Sequence, residues 1–395
     1  MARQRAVIVG GGVLGTMHAV EACRLGWEVT HLESDAGPRR ASVRNFGLVW
    51  VSGRAPHGEL DLAVRARSRW EELAAEVADH RGDGGPGDGT LGFRPDGSIT
   101  VATGEAELDL MRELADRPDA ALRDLEVLDP DGVRAANPAL RSEVAGGLLC
   151  RRDAVVEPGS VLGALRGLAG RSGRYRWLPG HTVVSATTGG DGDGDGDGAV
   201  VTDHLGGVHR GDVAVLCIGD RHAGLGGAVG AALAAAPLRR CRLQMLQTAP
   251  AAERLTTAVA DADTMRYYPA FDLPARRALP QAREETVRWG MQLLLVQRAG
   301  GGLTIGDTHV YDEPFDFAVD ESLTDHLVAR AEAVLGWDLP PVIRRWTGVY
   351  SVSTDDRVCY RAEVEPAVWV VTGPAGRGMT LSPAIAADTW AEATR

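Results

Sequence analysis

At 395 residues the chain is too long for one small core and suits two domains or one large α/β domain. Its apolar and charged fractions, 44% and 24%, are ordinary for a globular protein, and a net charge of −12 disfavours non-specific binding to nucleic acid or to an anionic membrane. A local basic pocket can still take an anionic substrate. The cysteines Cys23, Cys150, Cys217, Cys241 and Cys359 form no CxxC pair, which predicts buried thiols in a reducing cytosol and neither a metal site nor a redox motif. The apolar run at 6–9 is too short for a signal-peptide core and no stretch approaches a membrane span, so a cytoplasmic protein without a membrane or nucleic-acid partner is expected.

In chain order, residues 6–9 form a short β-branched run that reads as a buried parallel strand. It feeds into Gly10-Gly11-Gly12-Val13-Leu14-Gly15, which fits G-x-G-x-x-G, then into a helical pattern over 16–25 closed by Gly26. A second strand at 28–32 ends at Glu33. Gly10 allows the tight turn, Gly12 lets backbone approach a pyrophosphate, and Gly15 lets helix and strand pack closely. Glu33 stands where a carboxylate accepts hydrogen bonds from ribose hydroxyls. Strand, glycines, helix, strand and acid in this order predict dinucleotide binding. An acid at Glu33 serves FAD and NAD alike. The next segments favour FAD, because a polar loop at 41–47 and a long amphipathic helix at 60–77 replace further regular βα units.

Residues 80–92 read as a surface loop, 93–102 as a hairpin around Pro95-Asp96-Gly97, and 105–117 as an amphipathic helix. Helix 160–169 and strand 182–186 precede a Gly/Asp alternation at 189–198, read as a solvated loop. A buried strand ends at Gly219. Strands are expected at 239–248, 291–296, 303–306, 346–352 and 369–372, with a helix at 323–335. Gly373-Pro-Ala-Gly-Arg-Gly378-Met379-Thr380 is a second glycine-rich turn opening a helix at 381–391. The fold class is therefore α/β. A Rossmann-like FAD-binding domain is assembled from 1–50, 151–235 and 345–395, and an α+β, antiparallel-sheet substrate domain from 51–150 and 236–344.

These segments together resemble the D-amino-acid oxidase-like FAD-dependent oxidoreductases, the group containing glycine and sarcosine oxidases. The resemblance rests on the first glycine motif with Glu33, Ala41-Ser42-Val43-Arg44-Asn45-Phe46-Gly47, Val156-Glu157-Pro158, 213–219, 302–308 and 373–380. It implies that Gly376, Gly378, Met379 and Thr380 lie near the flavin ring. It also implies that Ser42, Arg44, Asn45, Phe46 and Gly47 touch the pyrophosphate and ring edge, and that Val183 or Val184 pairs with the adenine. Gly219 lines the far side of the nucleotide. No cysteine or histidine occupies the positions of covalent flavin attachment in such proteins, so FAD is expected to be non-covalent.

A narrower resemblance, carried by Arg44-Asn45-Phe46-Gly47, Arg266-Tyr267-Tyr268-Pro269-Ala270-Phe271, Gly306-Asp307-Thr308-His309 and Trp346-Thr347-Gly348-Val349-Tyr350, is to a subgroup associated with phosphonate catabolism. It implies oxidation of an (N-alkyl) aminoalkylphosphonate such as 2-aminoethylphosphonate to imine, then aldehyde plus amine, with oxygen or another electron acceptor. Tyr350 stands where amino-acid oxidases of the group carry a carboxylate-binding arginine, which weakens a simple amino acid as substrate.

Candidate catalytic residues are His309, Tyr268 and Tyr350; candidate substrate-binding residues are Trp50, Arg266, Tyr267 and Trp346. His309 serves an anionic head, the amine proton, or only the structure. Tyr267, Tyr268 and Tyr350 donate to an oxyanion or pack, and Trp50 and Trp346 wall the site or sit in the core. Arg44 holds flavin or phosphonate. Two other functions remain open: a glycine, sarcosine or D-amino-acid oxidase, and an FAD-binding structural or regulatory subunit of a larger oxidoreductase. The chain is expected as a monomer or homo-oligomer.

Overall fold

The protein is described from a computed structural model, which covers residues 4–79, 89–189, 198–316 and 318–395. Most of the loops expected at 80–92 and 189–198 lie outside the described residues. Strand Arg5–Val9 pairs in parallel with Glu28–Glu33 on one side and Val213–Leu216 on the other. Tyr175–Pro179 and Val368–Thr372 extend the sheet in parallel, and Tyr360–Glu365 closes one edge antiparallel. The central strands are apolar on both faces because both faces are covered. Helices Val13–Arg24, Val161–Gly170 and Gly378–Ala393 bury one side, where Trp390 Nε1 donates to the His18 carbonyl at 2.9 Å. A three-stranded antiparallel sheet, Val183–Thr188, Ala199–Asp203 and Val208–Gly211, contributes Val183, Ala186 and Val201 to the core on the other side.

The second sheet has eight strands. In spatial order they are Val342–Ser353, Leu238–Pro250, Gly302–Gly306, Leu294–Gln297, Ala258–Ala260, Ser98–Ala102, Gly146–Cys150 and Leu125–Leu128. All pair antiparallel except Ala258–Ala260 with Ser98–Ala102. Alternation divides its side chains: Leu246, Leu295 and Ile305 pack with helix Glu321–Leu335 on one face, and Leu243, Met245 and Leu294 join Trp50, Tyr268 and Tyr350 on the other. Asp320 caps that helix by accepting from the Ser322 and Leu323 amides.

Three expectations change. The hairpin at 93–102 is not formed: Ser98–Ala102 pairs instead with Gly146–Cys150 and Ala258–Ala260, because its buried, apolar residues need a neighbour on both sides. Strand Val342–Ser353 runs beside Leu238–Pro250, so residues 345–353 lie in the eight-stranded sheet rather than with the nucleotide segments. Helix Val13–Arg24 begins inside the glycine motif, three residues before the sequence pattern suggests.

Candidate functional site

One cavity of about 790 Å³ runs between the two sheets, from Glu33 and Val183 at one end to Tyr350 and His309 at the other. The nucleotide end is built mostly of backbone. Gly10 has φ +101°, and a Cβ there would stand 2.1 Å from the Cys217 carbonyl oxygen; a Cβ on Gly15 would stand 1.8 Å from the Gly10 oxygen. Gly219, with φ +61°, lines the cavity and has no atom within 4 Å of where its Cβ would be. Glu33 Oε2 accepts from the Gly11 amide at 2.5 Å, while Oε1 accepts from Ser34 Oγ and the Asp35 amide. Helices Val13–Arg24 and Gly378–Ala393 both start at this cavity; neither is capped by the side chain of its own N-cap residue, Gly12 or Arg377, and neither has an acid in the first turn. Two positive helix ends and an open glycine surface fit an anionic dinucleotide.

The loop at 41–47 crosses the first of these helix ends. Ser42 Oγ accepts from the Val13 amide at 3.0 Å, and Arg44 Nη1 donates to the Thr347 carbonyl at 2.8 Å. Arg298, absent from the sequence-based candidates, donates to the Asn45 and Phe46 carbonyls at 2.9 and 2.8 Å and to Thr304 Oγ1 at 2.7 Å. It thereby ties the loop to the eight-stranded sheet. Burial lowers its guanidinium to about 10.

The opposite end is built of side chains. Trp50 and Tyr268 stack with ring centroids 5.9 Å apart, Tyr268 meets Tyr267 edge-on at 5.1 Å, and Tyr267 stacks on His309 at 4.5 Å. Arg54, 4% exposed, lies 5.8 Å from the Tyr268 ring centre and lines the cavity. Its Nε donates to the Trp50 carbonyl at 2.7 Å and Nη1 reaches Glu59 at 3.5 Å. Glu59 also pairs with Arg377 at 3.4 Å. Burial raises the Tyr268 and Tyr350 hydroxyls, so both remain protonated donors.

Two buried charges set the path of residues 51–54. Asp153 accepts from the Val51 and Ser52 amides at 2.5 and 3.0 Å and from the Ser52 and Ser98 hydroxyls at 2.6 Å each. Arg123, fully buried, gives Nη1 to the carbonyls of Val51, Ser52 and Arg54 and Nη2 to Asp119. A turn that no regular element stabilises is thus held from both sides, and it presents Trp50 and Arg54 to the cavity.

Most sequence-based candidates line this cavity: Gly10, Gly12, Val13, Leu14, Gly15 and Glu33; Ser42, Arg44, Asn45 and Phe46; Val183 and Gly219; Gly376, Gly378 and Met379; and Trp50, Tyr267, Tyr268, His309 and Tyr350. Five do not. Val184 alternates outward and is 40% exposed, leaving Val183 as the inward residue. Gly47 packs on the Val156 oxygen, 2.0 Å from where its Cβ would be. Thr380 is buried and accepts from the Trp50 amide at 2.9 Å. Arg266 turns away on the short helix Thr264–Tyr267 and donates to the Pro280 carbonyl. Trp346 stands two pairs along the strand from Gly348 and four from Tyr350, with Nε1 on the Arg44 carbonyl at 3.4 Å.

The sequence-based set lacks Arg54, Gln292 and Asp307, all lining the cavity. An acid directly after the buried run Gly302–Gly306 is the sequence signal for Asp307. Near the nucleotide end, His181 Nδ1 and His209 Nε2 converge on Asp203 Oδ2 at 2.6 and 2.9 Å, a grouping whose ligand atoms lie within 4.8 Å of one another. Asp203 Oδ1 accepts from the Leu205 and Gly207 amides, so this carboxylate organises the hairpin turn. No helix among the described residues is long and apolar enough to cross a membrane.

The FAD dependent oxidoreductase family (DAO) matches residues 5–390. Over 193 residues the chain is 32% identical to an opine oxidase subunit of Agrobacterium tumefaciens (strain Ach5), covering 46% of this chain and 50% of that protein, so the match spans about half of that relative's length. The fold is similar to glycine oxidase from Geobacillus kaustophilus, with a TM-score of 0.74, 19% identity and coverage of 98% and 94% of the two chains. It is also similar to L-alpha-glycerophosphate oxidase from Mycoplasma pneumoniae with FAD bound, with a TM-score of 0.73, 17% identity and coverage of 100% and 96%.

Proposed function

This chain belongs to the FAD-dependent oxidoreductase family, and from that premise we propose that it oxidises a small primary or secondary amine with an anionic head, an (N-alkyl) aminoalkylphosphonate such as 2-aminoethylphosphonate. Bound FAD supplies the acceptor for the hydride on the carbon next to nitrogen. The observation that carries the anionic head is Arg54, a buried guanidinium in the cavity wall beside Tyr268.

The way Arg54 is used favours a tetrahedral head. Nε is engaged by the Trp50 carbonyl, which closes the Nε edge to a flat carboxylate, and Nη1 on the other edge is shared with Glu59. A phosphonate has three acceptor oxygens that separated donors can meet: Arg54 Nη2 and the hydroxyls of Tyr268 and Tyr350. The aromatic wall of Trp50, Tyr268 and Tyr267 favours the cationic amine end and excludes water around it. FAD is held non-covalently in this scheme: Cys359 lies outside the cavity lining, and Cys217, which lines it, has its thiol pushed up by burial and so stays protonated.

Steady-state comparison of N-methyl-2-aminoethylphosphonate, sarcosine, glycine and D-alanine at one pH tests the proposal. The phosphonate is expected to have the highest kcat/KM; a higher value for sarcosine or D-alanine replaces it with an amino-acid oxidase. That second reading has its own support in the 32% identity to an opine oxidase subunit over 193 residues. Acid precipitation of the same preparation is expected to leave FAD in the supernatant.

A further inference from the structure

We propose that Asp307 Oδ2 and His309 Nε2 form a two-acceptor seat for the substrate nitrogen, and that Asp307 takes the proton which must leave before the amine is oxidised. This rests on the amine reading above. Asp307 follows strand Gly302–Gly306, is buried, and lines the cavity. Gln292 Nε2 donates to Oδ1 at 3.2 Å, and Oδ2 accepts from no other described residue. Among the described residues the nearest cationisable partner is His309 Nε2, 3.9 Å from Oδ2. A buried carboxylate with one weak amide donor and no Arg or Lys is missing a cation.

The protonation of His309 follows from its other nitrogen. Nδ1 lies 2.8 Å from the Gly290 carbonyl, which only accepts, so Nδ1 carries the proton and the neutral ring presents a lone pair at Nε2. Tyr267, stacked at 26° on the imidazole, holds the ring in that plane. A nitrogen placed about 2.9 Å from both acceptors, which stand 3.9 Å apart, subtends about 84° between them, so two tetrahedral N–H bonds reach one acceptor each with a bend of roughly 13° from linear. A protonated primary or secondary amine has two such hydrogens. A protonated tertiary amine has one, and a quaternary ammonium has none and is held by the Asp307 charge alone, so the seat favours the first two classes.

In the transfer, one N–H bond breaks and its electron pair stays on nitrogen as the lone pair, while the proton forms an O–H bond with Oδ2. An ammonium–carboxylate pair becomes two neutral groups, which suits a site shielded from water. Burial pushes the Asp307 carboxyl above its ordinary range, so the acid form is accessible. The other titratable groups facing it from neighbouring elements are Cys241, Tyr267, Tyr268, Tyr311 and Tyr350, all neutral until alkaline pH.

The test uses the FAD-loaded protein and whichever amine of the panel is turned over best. Asp307→Asn is expected to lower kcat/KM about 10²–10⁴-fold near neutral pH. It should also move the acid limb of the profile up to the amine's own pKa, because only the neutral amine then reacts. His309→Phe keeps the ring stack and should raise KM about tenfold while the wild-type acid limb remains. Binding is read separately from changes in flavin absorbance on adding N,N,N-trimethyl-2-aminoethylphosphonate or glycine betaine, which carry the same cation on different heads. Both should bind D307N at least tenfold more weakly than wild type. Tighter binding of betaine in both proteins would refute the phosphonate reading and leave Asp307 standing. A folded, FAD-loaded D307N with an unmoved acid limb and unchanged binding overturns the proposal. If D307N loses FAD, Asp307→Glu decides: it must keep an acid limb at reduced kcat/KM, and its loss overturns the proposal.

Discussion

The two ends of the cavity are made of different material. At the nucleotide end, glycines, amides and two helix starts form most of the surface, and Glu33 hydrogen-bonds within its own segment and to the adjacent turn. At the substrate end the surface is Trp50, Arg54, Tyr267, Tyr268, Asp307, His309 and Tyr350, drawn from separate stretches of chain. Their positions depend on buried charges, Arg123, Asp153 and Arg298, that never reach the ligand region themselves. Backbone surfaces are specified by spacing within one short segment. Side-chain surfaces are specified by long-range hydrogen bonds that only the folded chain brings together.

This contrast can be tested by damaging each end in turn. The largest effect on cofactor content is expected from Gly15→Ala, whose methyl would stand 1.8 Å from the Gly10 oxygen, a backbone atom that cannot step aside. FAD content per folded chain, read from the ratio of flavin to protein absorbance, should fall at least tenfold, with a loss of about 1–3 kcal/mol from overpacking. Normal FAD content would show that helix and strand need not approach so closely.

Asp153→Ala should give the opposite division. It leaves two amides and two hydroxyls without their acceptor at a buried site. Urea unfolding should show a loss of about 3 kcal/mol or more. kcat/KM should fall because Trp50 and Arg54 lose their placement, while the folded fraction keeps its FAD. Loss of FAD in proportion to activity would mean that the two ends are not separable.

The smallest effect concerns pH. Asp261, buried at the end of strand Ala258–Ala260, is raised to about 6 by desolvation and by Asp263, against the opposing pull of Arg330 at 2.7 Å. Its folded-state value exceeds the unfolded one. Its contribution is therefore fully present below about pH 4 and is lost as pH rises through about 6, a change of at most about 3 kcal/mol. Urea midpoints measured from pH 4 to 7 should fall more steeply for the wild type than for Asp261→Asn; parallel slopes would remove Asp261 as the cause.

The same contrast explains what the sequence disclosed. Gly10-x-Gly12-x-x-Gly15, the loop at 41–47 and the turn at 373–380 each act within a few residues, and their spacing is the mechanism. Strand parity separates Val183 from Val184 once the inward face is known. Arg54 carries no such mark and Asp307 only its place after a buried strand: an arginine after Ser-Gly and an acid after a strand are ordinary until Glu59, Tyr268, Gln292 and His309 are brought around them. Arg266 and Trp346 lie off the cavity for a related reason. A rich aromatic or basic segment marks a neighbourhood, and only the turn of a short helix or the distance along a strand decides which of its members faces inward.

The order of strands in the six-stranded sheet also bears on how the chain is made. Arg5–Val9 and Glu28–Glu33 are synthesised well before their neighbours Tyr175–Pro179 and Val213–Leu216, and Val368–Thr372 comes later still. Until then the first βαβ unit carries open, apolar strand edges, the kind that pair with the wrong chain. Helix Val13–Arg24 likewise waits for Gly378–Ala393 and the Trp390 indole to cover its apolar side. This segment is therefore translated well before the strands and the helix that complete it, and a growing chain has to keep it shielded while those emerge.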